Sequence, residues 1–250
     1  MRRFSGILVW TTLLYAAGAA LFFTKAAALP YKVAYPVLLL GLSMFMLRRR
    51  ELLPIGIAFL LSAAGDAMGA RHWFIPQMAF FALAHIAYIR WFLPRARRKP
   101  RTRTLAVVVP LLVFLFAVIV PRAPFPAECI GTALYGTIIA GMLCSVFQYA
   151  GACAAGFRCA ALLFVFSDAA IAWDRFVGPV PARTWVVMIT YYLAQYLFFR
   201  CALTTAASPA AHHRSSRIHC HDSTEQIRSI FPVLIFRRKV DTCFYYLVEV

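Results

Sequence analysis

A chain of 250 residues that is 62% hydrophobic and only 14% charged holds more apolar surface than a soluble domain of that size could bury, so a lipid bilayer must be its solvent. The formal charge of +17 would suit a nucleic-acid binder, but the basic residues fall in short clusters between apolar runs rather than along one face. That distribution excludes nucleic acid as the partner and makes the charge a report on topology.

Taken in chain order, apolar runs at 6–23, 29–47, 52–70, 73–93, 104–120, 128–150, 156–173 and 184–203 are predicted as helices, each near the roughly 20 residues that cross a bilayer. The expected fold is therefore all-α, a polytopic membrane helical bundle of about eight transmembrane helices. Transmembrane β-strands would be about ten residues of alternating polarity, whereas these runs are continuous, and a barrel is excluded. The first run follows Met1-Arg2-Arg3, and because Gly18-Ala19-Ala20 leads into further apolar sequence it reads as a retained helix rather than a cleaved signal.

With eight spans, about twelve basic residues fall on the side of the N-terminus, including Arg48, Arg49, Arg50 and the cluster from Arg95 to Arg103. About six fall opposite: Lys25, Lys32, Arg71, Arg122, Arg175 and Arg183. This bias predicts an integral, multi-pass protein with both termini cytoplasmic, in the cell inner membrane if the source is bacterial. Cys144, Cys153, Cys159 and Cys201 form no CxxC pair and read as small packing residues.

Leu83-Ala84-His85 with Arg90 five positions later recurs 110 residues on as Leu193-Ala194-Gln195 with Arg200. Gly65-Asp66 and Ser167-Asp168 precede these two segments. The simplest reading of 1–203 is a duplicated four-helix unit, 1–103 and 104–203, whose halves share one orientation. Residues 204–250 read as a basic tail. Its His212, His213, His219, Cys220 and His221 lack the spacing of a zinc module, and no metal site is expected there or in the spans.

A carboxylate at bilayer depth costs on the order of 3 kcal/mol on insertion scales, so such groups face a protein interior or a watery cavity. Only Asp66 and Asp168 lie well inside the predicted spans. Phe59, Ser62 and Gly69 share a helical face with Asp66, and Gln77, Phe81, His85 and Tyr88 form one stripe at steps of four, four and three. The last span repeats the idea with Met188, Tyr191 or Tyr192, Gln195 and Phe199. Each polar residue alone could be interhelical glue; together they outline an aromatic-walled pocket with two acids at its polar point.

Four ordered segments carry a family resemblance. Leu61-Ser62-Ala63-Ala64-Gly65-Asp66-Ala67, Phe80-Phe81-Ala82-Leu83-Ala84-His85-Ile86-Ala87-Tyr88, Ala161-Leu162-Leu163-Phe164-Val165-Phe166-Ser167-Asp168 and Tyr191-Tyr192-Leu193-Ala194-Gln195 resemble the signature segments of the YhhN-like lysoplasmalogenases. The likeness spans about residues 1–203. It implies hydrolysis of the vinyl-ether bond of a lysoplasmalogen, a lysophospholipid, to a fatty aldehyde and a glycerophospho-headgroup, without a cofactor. It also implies Asp66 and Asp168 as catalytic residues and His85, Tyr88, Tyr191, Tyr192 and Gln195 as substrate-binding or orienting residues.

The chemistry agrees with two acids. A vinyl ether resists bases and nucleophiles but is opened by protonation at its β-carbon, which creates an oxocarbenium ion that water captures. Two carboxyls close together in a low-dielectric pocket do not readily both ionise, so one can act as acid while the other stabilises the cation and activates water. The residues alone also suit a small proton-coupled transporter, or a lipid-binding membrane protein without catalysis.

Overall fold

The computed structural model describes residues 2–24, 29, 31–97 and 102–207. The predicted tail beyond 207, with its histidines and Cys220, lies outside the described residues, as do Lys25, Arg98, Lys99 and Arg101. Among the described residues there are eight α-helices and no strand, only an isolated antiparallel bridge between Ala96 and Tyr149. The helices are α1 (Arg2–Phe23), α2 (Tyr35–Met46), α3 (Leu53–Ala70), α4 (Phe74–Phe92), α5 (Thr102–Val113), α6 (Pro126–Gln148), α7 (Ala154–Phe176) and α8 (Arg183–Ala207).

Six of the eight are long and apolar enough to cross a bilayer, α3 counted with the short 3-10 turn before it and α5 with the irregular turns after it. The other two depart from the expectation of uniform spans. The run predicted at 29–47 forms a helix of only 12 residues, about 18 Å at 1.5 Å per residue. Residues 31–34 form a turn instead, with Tyr31 at φ 58°, and α2 begins only where Pro36 occupies its first turn, a position that needs no N–H. α4 has the length, 19 residues, but carries Gln77, His85, Tyr88 and Arg90 and is not among those six.

α5 is interrupted for an identifiable reason. Pro110 removes a backbone donor and crowds the preceding turn, and the chain continues through a π-helical segment at Phe114–Ile119 and a 3-10 turn at Val120–Arg122. With α1 it lies at the periphery. Trp10, Leu13 and Leu14 of α1, Val109 and Val113 of α5 and Phe116 of the π-helical segment are at least half exposed, which is what a lipid-facing surface requires.

The centre is built from α3 packed on α4 and α7 packed on α8, with α6 against α4 and α7. Gly65 lets α3 and α4 close up at the level of the acids: a Cβ there would lie 2.9 Å from the Phe81 ring. α4 meets α8 through Phe81 against Tyr191, with ring centroids 6.0 Å apart, and Tyr88 stacked on Phe198 at 4.5 Å. The polar stripe of α4 is thereby turned inward, toward α6, α7 and α8.

Candidate active site

The α4 stripe delivers His85, which is fully buried, against the edge of Phe164 on α7 at 4.8 Å between ring centroids. Its Nε2 lies 3.6 Å from Oδ2 of Asp168. The same carboxylate oxygen accepts a 2.8 Å hydrogen bond from the hydroxyl of Tyr135 on α6, and that hydroxyl is 3.4 Å from His85 Nε2. Three helices thus bring a carboxylate, a phenol and an imidazole into one cluster, with His85 Nδ1 making no hydrogen bond.

The second carboxylate has a separate partner. Asp66 of α3 accepts a 2.8 Å hydrogen bond from Tyr191 of α8, and one turn further along α8 the Gln195 side-chain oxygen accepts from Tyr88 at 2.9 Å. Gln195 Nε2 is buried without a partner. Between the two carboxylates' partners stand Phe81 and Phe164, whose rings contact one another and both contact Tyr191. Asp66, His85, Tyr88, Asp168, Tyr191 and Gln195 therefore share one aromatic interior. Tyr192 points elsewhere, its hydroxyl donating to the Val33 carbonyl at 2.8 Å and its ring meeting Tyr15 and Phe22.

Of the two acids, Asp168 lines a cleft. A narrow, largely apolar opening runs inward between α4, α6 and α7 from Phe74 and Phe176 to Phe81, Tyr135 and Asp168, with Gln77 and Thr132 as the polar points along its walls. Asp168 keeps 11% of its side chain exposed, whereas Asp66 lies behind Phe81 and Tyr191 and does not line the cleft. Tyr135 and Tyr191 each fix one of the two carboxyl groups in place through a 2.8 Å hydrogen bond. Among the described residues no three His, Cys, Asp or Glu side chains gather closely enough to hold a metal ion.

A profile of the YhhN family matches residues 27–202, more than half of the chain. The chain belongs to the YhhN family. It is 35% identical over 149 residues to lysoplasmalogenase TMEM86B of Homo sapiens, covering 58% of this chain and 62% of that protein. It is 32% identical over 155 residues to the Sus scrofa protein of the same name, covering 61% and 63%. Against lysoplasmalogenase TMEM86A of Bos taurus the identity is 30% over 185 residues, covering 69% and 74%. The chain spans about three fifths of the length of the Homo sapiens, Sus scrofa and Rattus norvegicus TMEM86B proteins. No solved structure matches it.

Tyr135 is the residue of this YhhN site that sequence reasoning did not single out, because α6 read as a generic apolar span. The available signal was a stripe on α6, in which Thr132, Ile139 and Met142 are buried and Tyr135 supplies the phenol at the same helical spacing. Tyr135→Phe keeps the ring against His85 and removes the hydrogen bond to Asp168. A hydrogen bond between neutral groups contributes on the order of 0.5 to 1.5 kcal/mol, so turnover is expected to fall up to about tenfold with little change in thermal stability of the detergent-solubilised protein. Unchanged turnover in Tyr135→Phe would remove Tyr135 from the site.

Proposed function

We propose that this YhhN chain is a lysoplasmalogenase, cleaving the vinyl-ether bond of a lysoplasmalogen by acid-base catalysis centred on Asp168. The observation that carries the reading is Asp168 itself: a carboxylate held by Tyr135 and His85 in the wall of an apolar cleft, in a chain whose relatives are named lysoplasmalogenases. Asp168 is the acid that a vinyl ether seated in this cleft would meet.

In the proposed reaction, protonated Asp168 gives its proton to the β-carbon of the enol ether. The α-carbon and ether oxygen then share the positive charge, and the Asp168 carboxylate takes a proton from the water that adds to the α-carbon. The resulting hemiacetal collapses to a fatty aldehyde and a free glycerol hydroxyl, so one water is consumed and the acid is regenerated. Asp66, held by Tyr191 across the Phe81 and Phe164 rings, supplies the second carboxyl group that stabilises the oxocarbenium ion; electrostatic stabilisation of this kind is worth more in a low-dielectric interior than in water. His85 orients the Asp168 carboxyl, while Tyr88 and Gln195 hold the α4 and α8 faces in register.

The test is purified protein in detergent, given lysoplasmalogens and saturated-ether lysolipids in parallel with aldehyde as the readout. Hydrolysis predicts aldehyde from the vinyl ethers only and with no ion gradient. A carrier, or a protein that binds lipid without turnover, releases none.

Both termini are proposed to be cytoplasmic, on the charge bias between the two sides. Reporters fused after Arg97 and after Leu203 should both read cytoplasmic, and one near Arg71 should read the opposite side. An external signal after Arg97 would reverse the assignment.

A further inference from the structure

We propose that Arg175, at the mouth of the cleft, anchors the phosphate of the lysolipid headgroup. This rests on the vinyl-ether reading of Asp168 and assigns to the same site the group that orients its substrate.

The first support is position. Arg175 follows Asp168 by seven residues on α7, two helical turns on the same face, or about 10 Å of helix axis. Ile171, Ala172 and Phe176 on that face line the cleft between the acid and its mouth. In a lysoplasmalogen, three glycerol carbons and one ester oxygen separate the vinyl-ether oxygen from phosphorus. With the ether at Asp168, a headgroup directed outward places its phosphate within the sweep of the Arg175 side chain.

The second support is how the guanidinium is held. It lies 4.0 Å from the centroid of Phe74 and 5.8 Å from that of Phe176, and these two rings, 5.8 Å apart, line the cleft at the start of α4 and the end of α7. On its other flank it pairs with Glu128 in the first turn of α6. The pair is lopsided: the Glu128 side chain is 10% exposed and that of Arg175 41%. Arginine has five N–H donors in a planar fork that matches phosphate oxygens, and one carboxylate does not exhaust them. The rings and Glu128 thus fix the cation at the rim while leaving part of its fork directed outward. The other described basic residues on this side are differently engaged: Arg183 with Asp174, Arg122 with the Val118 carbonyl, Arg71 with the Tyr31 hydroxyl and Lys32 with the Thr24 carbonyl.

A purely architectural ion pair would make its two partners equivalent, whereas a phosphate anchor makes them opposite in sign. The experiment measures binding of a saturated alkyl-ether lysophosphoethanolamine, which cannot be cleaved, and of the matching alkylglycerol, which lacks phosphate, to the full chain in detergent. Arg175→Gln should weaken the lysophospholipid about tenfold or more and leave the alkylglycerol within about twofold. Glu128→Gln frees donors on Arg175 and should bind the lysophospholipid as tightly as the parent or tighter. Equal losses on both ligands, no loss on either, or a Glu128→Gln loss matching that of Arg175→Gln would overturn the assignment. Displacement of the lysophospholipid by inorganic phosphate at comparable concentration would make this a free-phosphate site and equally overturn it. Because the ligand is uncleavable, failure of the hydrolase reading appears separately, as absent aldehyde release from a vinyl ether with this binding pattern intact.

Discussion

Asp168→Asn is expected to insert and fold as the parent does and to lose about a thousandfold in turnover, within the range that a positioned acid or base contributes. Asparagine has the shape of aspartate, and its amide oxygen can still accept from the Tyr135 hydroxyl, so the cluster of Tyr135, His85 and residue 168 persists. What it lacks is a transferable proton. Both halves of the proposed cycle fail at once, since neither the β-carbon can be protonated nor the attacking water deprotonated. The loss should fall on kcat with KM nearly unchanged, because an interaction made only along the reaction coordinate has been removed. A well-folded Asp168→Asn protein that retained near-parental turnover would eliminate Asp168 as the acid.

Asp66→Asn should cost about a hundredfold, the scale found when one preorganised electrostatic group is taken from a buried site. Here the proton donor is intact and only the second carboxyl group is gone. Tyr191 can still donate to the asparagine oxygen, so α3 and α8 remain joined. Tyr191→Phe in the parent should reduce turnover through loosened placement of Asp66, and in the Asp66→Asn background should add little further. That non-additivity is the signature of two residues acting as one unit. Independent, fully additive losses would mean that Tyr191 acts on substrate directly rather than through Asp66.

The parts of this site that the sequence disclosed are those whose presence in lipid demands an explanation. Asp66, Asp168 and His85 stand out because ionisable groups are costly in an apolar helix, and Gln195 and Tyr88 because they fall at helical spacing in otherwise apolar faces. Tyr135 has no such contrast. A tyrosine is unexceptional in a membrane span, and its hydroxyl gains meaning only from Asp168, which reaches it from another helix. Tyr191 and Tyr192 pose a related difficulty: adjacent residues on a helix point about 100° apart, so one meets Asp66 and the other the Val33 carbonyl, and packing alone selects which.

The fold was legible to a similar depth. Eight helices follow from eight apolar runs, but hydropathy reports what solvent a segment tolerates and not how much of it is helical. The run at 29–47 is apolar throughout most of its length, yet its first residues turn at Tyr31 before Pro36 opens a helix of 12 residues. Nor could composition distinguish the depths of the two acids relative to the cleft. That difference comes from packing: Asp66 is buried against Tyr191, whereas Asp168 stands in the cleft wall.

Protonation of carbon is the central claim, and hydrolysis in deuterated water reads it directly. Purified protein in detergent, given a lysoplasmalogen in D2O, should release a fatty aldehyde bearing one deuterium on the carbon next to the carbonyl, and the Asp168→Asn protein should release almost none. Aldehyde without deuterium at that carbon, or no aldehyde from the intact protein, would contradict the account.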